Sequence, residues 1–251
     1  MHSFRSRVAA LGLLTSLALG SACQRAPYQA TAQLPTVTAQ PVSKALPADP
    51  KVEAVIAPYH QKVEEQMNQV LGTAPVAIRK NPGESPLANF VADLQRERAS
   101  TALKENIDLG VMTNGGLRAE LPAGNLTLGS VFELMPFENE LVVLDAPGSV
   151  VQQLFDYAAR VKMAFSNATY TVTPDGKPTD IRIGGKPFDP THTYTIAISD
   201  YLAGGGDQMT FFKTIVPRKT GVLLRTAIAE HIQSLTKQGK PVVAKVEGRV
   251  K

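Results

Sequence analysis

Between Asp49 and Leu71 the apolar residues Val52, Val55, Ile56, Tyr59, Val63, Met67 and Val70 recur mainly at three- and four-residue steps, which line up on one face of a helix. Asp49 is the cap with Pro50 in the first turn, Gly72 is placed to stop the helix, and Pro58 inside it predicts a kink or two shorter pieces. A second helix is predicted from Ser85, again with proline in the first turn, and Leu87, Phe90, Val91 and Leu94 form its buried stripe. The period then changes. "DLGVM" reads as a short buried strand, and "ELVVLDAPGSVVQQLFDYAAR" as a strand, a turn at Pro147 and Gly148, and a helix whose inner face is Val150, Val151, Leu154 and Tyr157 or Ala158. "ATYTVTPDGKPTDIRIGGKPF" alternates as an antiparallel hairpin around "PDG", "TYTIAIS" is a further strand, and "GVLLRTAIAEHIQSLTKQG" is a closing helix ended by Gly239. Residues 51–251 are thus read as one α/β domain, long enough to bury a proper core.

The N-terminal pattern concerns location. "MHSFRSRVAALGLLTSLALGSAC" sets Arg5 and Arg7 before an apolar run from Val8 to Leu19 and the small residues Gly20, Ser21 and Ala22, the layout of an export signal over residues 1–22. The run is too short for a permanent transmembrane helix. Cys23 is the single cysteine, so the chain forms no internal disulfide. Its place after small residues resembles the lipobox of bacterial lipoproteins, which implies lipidation of Cys23 and a membrane anchor; Gly20 stands where a lipobox usually has leucine. The plainer alternative is ordinary cleavage near Ala22 with a free thiol. Gln24 after the cysteine favours the outer membrane over inner-membrane retention. Residues 24–50, rich in Pro, Ala, Gln and Thr, read as a tether.

Charge narrows the partners. The formal charge of +4 falls to +2 when Arg5 and Arg7 leave with the signal, and the basic residues are scattered rather than interleaved with aromatics, which argues against nucleic acid. His2, His60, His192 and His231 show no metal-ligand spacing, and no phosphate-binding loop, nucleophile elbow or zinc pair occurs. No catalytic residue and no cofactor is therefore assigned to this chain.

Binding chemistry is easier to find. "TNGGLRAELPAGNLTLGSVFELMPFENELVVL" and "SDYLAGGGD" offer an arginine, two aromatic rings, asparagines and an aspartate at strand ends beside glycine-rich turns. Flat rings stack on a base at roughly 1–3 kcal/mol each. A carboxylate accepts hydrogen bonds from ribose hydroxyls, and arginine pairs with anionic oxygen. Each residue also has a plainer reading: Phe137 and Tyr201 as core aromatics, Arg118 and Asp207 as a pair pinning two turns, Asn114 and Asn139 as local backbone partners, and Gly204 to Gly206 as a surface turn.

In order and separation, "NGGLRAELPAG", "VFELMPFEN" and "YTIAISDYLAGGGD" resemble the C-terminal substrate-binding domain of the 5'-nucleotidase family, over about Val76 to Gln238. The resemblance implies a mixed sheet with flanking helices. It further implies that Phe137 and Tyr201 are the pair of rings that hold the nucleoside, with Tyr201 where the family usually has Phe. Asp207 then matches the ribose ligand, Gly205 and Gly206 the backbone beside it, Arg118 the arginine of the turn formed with Asn114, Gly115 and Gly116, and Asn139 a base contact. Two departures stand out: Thr113 occupies the asparagine place of the family's Asn-x-Gly-Gly-x-Arg, and Asn81 and Gly83 stand where arginines are common. The family's full proteins add a dimetal phosphoesterase domain. The reading that follows is the nucleotide-recognition half of a split 5'-nucleotidase, inactive alone, whose divalent metals sit in a separate metallophosphoesterase polypeptide. A nucleoside-binding lipoprotein without such a partner, or an envelope scaffold that has lost the site, are the alternatives.

Overall fold

The computed structural model describes residue 43 and residues 46–251. The export signal, Cys23 and nearly all of the tether lie outside the described residues. In chain order the elements are α1 (Pro50–Met67), β1 (Val70–Ala74), α2 (Pro86–Leu103), β2 (Leu109–Val111), β3 (Gly124–Thr127), α3 (Leu128–Leu134), β4 (Glu140–Pro147), α4 (Gly148–Val161), β5 (Phe165–Ser166), β6 (Ala168–Val172), β7 (Pro178–Ile183), β8 (Lys186–Pro187), β9 (Thr193–Ser199), α5 (Asp200–Ala203), β10 (Arg218–Leu223) and α6 (Leu224–Lys237).

A five-stranded sheet in the order β10-β4-β9-β2-β5 forms the centre, with β2 and β9 parallel and the other pairs antiparallel. Strand period 2 divides its side chains between two layers. Val142, Leu144, Ile196 and Ile198 enter a core with Val151, Leu154, Phe155 and Ala158 of α4, while Leu141, Val143 and Ala197 pack with Ala99 of α2. Burial on both faces is why β4 and β9 read as near-continuous apolar runs. A second core joins α2 and α6, through Leu87, Phe90, Val91, Leu94, Leu224, Ile228 and Ile232, to the small β1/β3 sheet.

Local chemistry sets the element ends. Ser85 caps α2 by accepting the Ala88 N–H at 3.1 Å, and Lys104 closes it in the left-handed region at φ 56°. The "PDG" turn joins β6 to β7, with Gly176 at φ 79°. Two sequence boundaries are corrected. The first helix ends at Met67 rather than Leu71, because Val70–Ala74 pairs antiparallel with β3. Gly72 stops no helix: it lies at a register shift in β1, where a Cβ would come within 2.5 Å of Thr236 Oγ1 and 2.8 Å of Ile232 Cγ2 on α6. The last helix begins at Leu224, since Gly221 to Leu223 belong to β10, an edge strand on β4.

The apolar stripe predicted for α1 exists and faces solvent, with Val55 67% and Tyr59 73% exposed and no residue of the helix buried. Its periodicity forms a helix here without forming part of the core. Among the described residues no helix is long and apolar enough to cross a membrane.

Candidate functional site

Sheet register brings the three glycine-rich stretches to one edge. Leu141 lies opposite Ser199 in the antiparallel β4/β9 pair, and Gly110 is in register with Ala197 in the parallel β2/β9 pair. The chain entering β4 therefore emerges beside the chain leaving β9 and β2. Phe137 and Asn139, Tyr201 to Asp207, and Asn114 to Arg118 all follow from that arrangement.

At the end of β9, Ser199 Oγ accepts the Leu202 N–H at 3.3 Å and starts the one-turn helix α5, which carries Tyr201. The glycines behind it have separate reasons. Gly205 adopts φ 92°, which L side chains rarely take, and a Cβ there would also meet the Lys213 side chain. Gly206 has no positive φ; a Cβ on it would lie 2.5 Å from Cε1 and Cζ of Tyr201, so the ring rests on bare backbone. Asp207 and Gln208 follow with φ 48° and 67°, two successive left-handed residues that are not glycine. The Tyr201 hydroxyl donates to Asp207 Oδ1 at 3.1 Å, and the Asp207 N–H donates back to it at 3.4 Å.

The turn after β2 meets this loop. A Cβ on Gly115 would stand 3.3 Å from Asp207 Oδ2, so glycine admits the carboxylate against the turn. Asn114 serves the neighbouring loop: its amide donates to the carbonyls of Asn81 at 2.8 Å and Gly83 at 3.1 Å, and its Oδ1 accepts from Ser85 Oγ at 3.1 Å. Asn81 and Gly83 thus contribute backbone acceptors. Lys80 Nζ donates to the Leu117 carbonyl at 2.8 Å and holds the far side of the turn. Arg118 is exposed, with a 3.4 Å contact from Nη1 to the Gly115 carbonyl and its guanidinium 6.0 Å from the Phe137 ring centre.

Phe137 and Tyr201 expose 42% and 53% of their surfaces, so neither is a core aromatic. Asn139 is half-buried and its carbonyl accepts the Leu224 N–H at 2.9 Å. Two residues that sequence reasoning did not place in the site belong to its frame. Arg225 on α6 donates to the Pro136 carbonyl at 3.2 Å, pairs with Glu138 at 3.3 Å and lies 4.2 Å over the Phe132 ring, so it fixes the loop that carries Phe137. Tyr157 of α4 lines a cavity of about 200 Å³ with Thr113, Asn114, Gly115 and Asp207. Its phenol is held above its ordinary value first by burial and then by the Asp207 carboxylate. Thr113 Oγ1 is buried there without a hydrogen-bond partner. Along the chain Tyr157 reads as an apolar-face residue of its helix and Arg225 carries no signal of its own; only the fold turns them toward the loops.

Among the described residues the histidines are dispersed: His60 is exposed on α1, His192 lies edge-on to Tyr194 at 4.7 Å, and His231 edge-on to Phe90 at 5.6 Å. Among the described residues no group of three or more His, Cys, Asp or Glu side chains can hold a metal ion. The described residues therefore do not fit a dimetal centre.

The family model described as 5'-nucleotidase, C-terminal domain, matches residues 66–214, which contain every candidate contact named above. The chain belongs to the 5'-nucleotidase C-terminal domain family. Protein UshA of Escherichia coli is 35% identical over 162 residues, covering 61% of this chain and 29% of that protein. Protein UshA of Yersinia enterocolitica is 30% identical over 169 residues, covering 63% of this chain and 30% of that protein. The 5'-nucleotidase precursor from Thermus thermophilus superposes with a TM-score of 0.68 at 26% identity, over 80% of this chain and 42% of that one. The chain thus spans under a third of these curated relatives. The mixed sheet with its flanking helices is the fold of this 5'-nucleotidase domain.

Proposed function

We propose that this domain grips the nucleoside part of a nucleotide between Phe137 and Tyr201 and presents its phosphate to a separate metallophosphoesterase polypeptide, as the recognition half of a split 5'-nucleotidase outside the cytoplasm. The observation that carries the reading is the pair of half-exposed rings at the same sheet edge as Asp207 and Arg118. Exposed rings without a ligand leave apolar surface in water, whereas a purine between them gains stacking on both faces. Asp207 supplies acceptors for the sugar, Arg118 a cation for anionic oxygen, and Gly115, Gly116, Gly205 and Gly206 let the ligand approach the backbone. Asn139 stands beside Phe137 as the base contact, and Asn114 supports the site by holding the 81–85 loop.

Hydrolysis of a phosphate ester by two metals needs a set of His and Asp ligands to activate water. In this reading those ligands and their metals belong to the partner polypeptide. Lipid attachment at Cys23, with the outer membrane as its site, would hold the recognition half in the cell envelope where nucleotides arrive from outside.

The test is isothermal titration of AMP and adenosine into the purified chain, with Arg118→Ala beside it. Both ligands should bind, and the substitution should weaken AMP more than adenosine. Metal-dependent AMP hydrolysis by the chain alone, at an enzyme-like rate, would contradict the split arrangement. Purification from membranes should bring a metallophosphoesterase with it.

A further inference from the structure

The helix α1 carries an apolar stripe, and none of its residues is buried. Val52, Val55, Ile56, Tyr59 and Val63, each between 46% and 73% exposed, run along one side of it. Within the stripe the spacing alternates between four and three. Val52 and Tyr59 fall on one heptad position and Ile56 and Val63 on the other, the seam of a two-helix coil with the β-branched pair where a parallel dimer takes it. The charges beside this seam are sorted. At about 100° per residue, Glu53 and Glu64 lie on one flank, with His60 3.8 Å from Glu64, and Lys51 and Lys62 lie on the other. Pro58, Gln61 and Glu65 fall off the seam. A membrane surface fits this helix poorly: interfacial helices carry Lys and Arg on their polar face, whereas α1 has three glutamates against two lysines.

We propose that the stripe is the contact between two copies of this chain, paired as parallel α1 helices about a two-fold axis along the seam. That axis sets the acidic flank of each helix against the basic flank of the other, so Lys51 and Lys62 of each copy face Glu53 and Glu64 of its mate. Antiparallel pairing would set acid against acid and base against base, which destabilises. Parallel pairing also leaves both tethers at one end, as two proposed lipid anchors in one membrane require. The five apolar residues offer roughly 500 Å² per copy and roughly 1,000 Å² for the pair, the lower bound for a specific interface and the size of a weak, reversible dimer. No residue of α1 lies in the candidate site, so the inference stands apart from the nucleotide reading.

The experiment is analytical ultracentrifugation of the purified chain under reducing conditions, where Cys23 cannot link copies. A monomer–dimer equilibrium with Kd of about 10–100 μM is expected. Tyr59→Glu should leave a monomer with Tm and AMP binding unchanged, because the ring is 73% exposed. Lys62→Glu and Glu64→Lys should each weaken the dimer about three- to tenfold, and the two together should restore it to within about threefold. Positions 62 and 64 do not face each other within one helix, so such rescue comes only from a second copy. A chain that stays monomeric at about 200 μM, tenfold above the middle of that range, overturns the inference and leaves the stripe to another occupant, such as the phosphoesterase partner. A dimer that survives Tyr59→Glu, or that Lys62→Glu tightens as antiparallel pairing requires, overturns it as well.

Discussion

Replacing Gly206 by alanine isolates the aromatic platform from the fold. Gly206 has no positive φ, so its backbone tolerates alanine; the cost arises only because the new methyl would sit 2.5 Å from Cε1 and Cζ and 2.7 Å from Cδ1 of Tyr201. Carbon atoms in contact stand about 3.5–4.0 Å apart, so the ring must swing off the loop and release both hydrogen bonds to Asp207. One stacking ring is worth roughly 1–3 kcal/mol, which makes the Kd for AMP rise about fivefold to about 150-fold. Stability should change little: the ring is 53% exposed, and a loss near 1 kcal/mol in a domain of this size lowers Tm by about 2–4 °C. Calorimetric titration and a thermal melt read the two effects separately. A Kd within about twofold of the unsubstituted chain would refute the reasoning, since either the ring is no ligand platform or Gly206 does not set its position. Gly205→Ala is the contrasting case, because φ 92° there places the penalty, about 1–2 kcal/mol, on the folded state itself.

Phe137→Ala should weaken AMP by a similar factor, about five- to 150-fold, with Tm held within a few degrees because the ring is 42% exposed. Asn114→Ala should act on stability instead: losing bonds to Asn81, Gly83 and Ser85 should cost about 1–3 kcal/mol and lower Tm by several degrees in differential scanning. Burial holds the His231 imidazole below its ordinary value of 6.5, partly offset by the Glu97 carboxylate. The unfolded chain then takes up that proton first, so the histidine's contribution to stability is full above pH 6.5 and is lost as pH falls below it. His231→Gln should shrink the Tm difference between pH 7 and pH 5; an unchanged difference would assign the acid sensitivity to other groups.

Much of this was legible along the chain, for reasons that differ by element. Ser85 followed by Pro86 marks the start of α2 because a side-chain cap and a preset φ are local properties. The PDG hairpin and the buried strands β4 and β9 were legible for the same kind of reason, turn chemistry and unbroken apolar runs. Where local signals tied, neighbours decided. Val70 continued the helical stripe of α1 but was claimed by pairing with β3, and "GVL" continued the apolar pattern of α6 but was claimed by β4. The stripe of α1 itself shows that periodicity predicts a helix without saying what it packs against.

The sequence by itself determined the inventory of the candidate site: two rings, an arginine, an aspartate and the glycines beside them, each in a turn whose composition needs no partner to be recognised. Only the tertiary structure decided that these turns share one sheet edge, since that depends on the pairing of β4 with β9 and of β2 with β9 across long stretches of chain. The same holds for the separate tasks of the glycines, with Gly205 answering to backbone conformation and Gly206 to a ring that lies over it only once the loop has closed. Only the fold shows that Asn114 braces the 81–85 loop and that Arg225 and Tyr157 reach the site from helices, because hydrogen bonds and cavities join residues that are near in space and have no short-range signature in the chain.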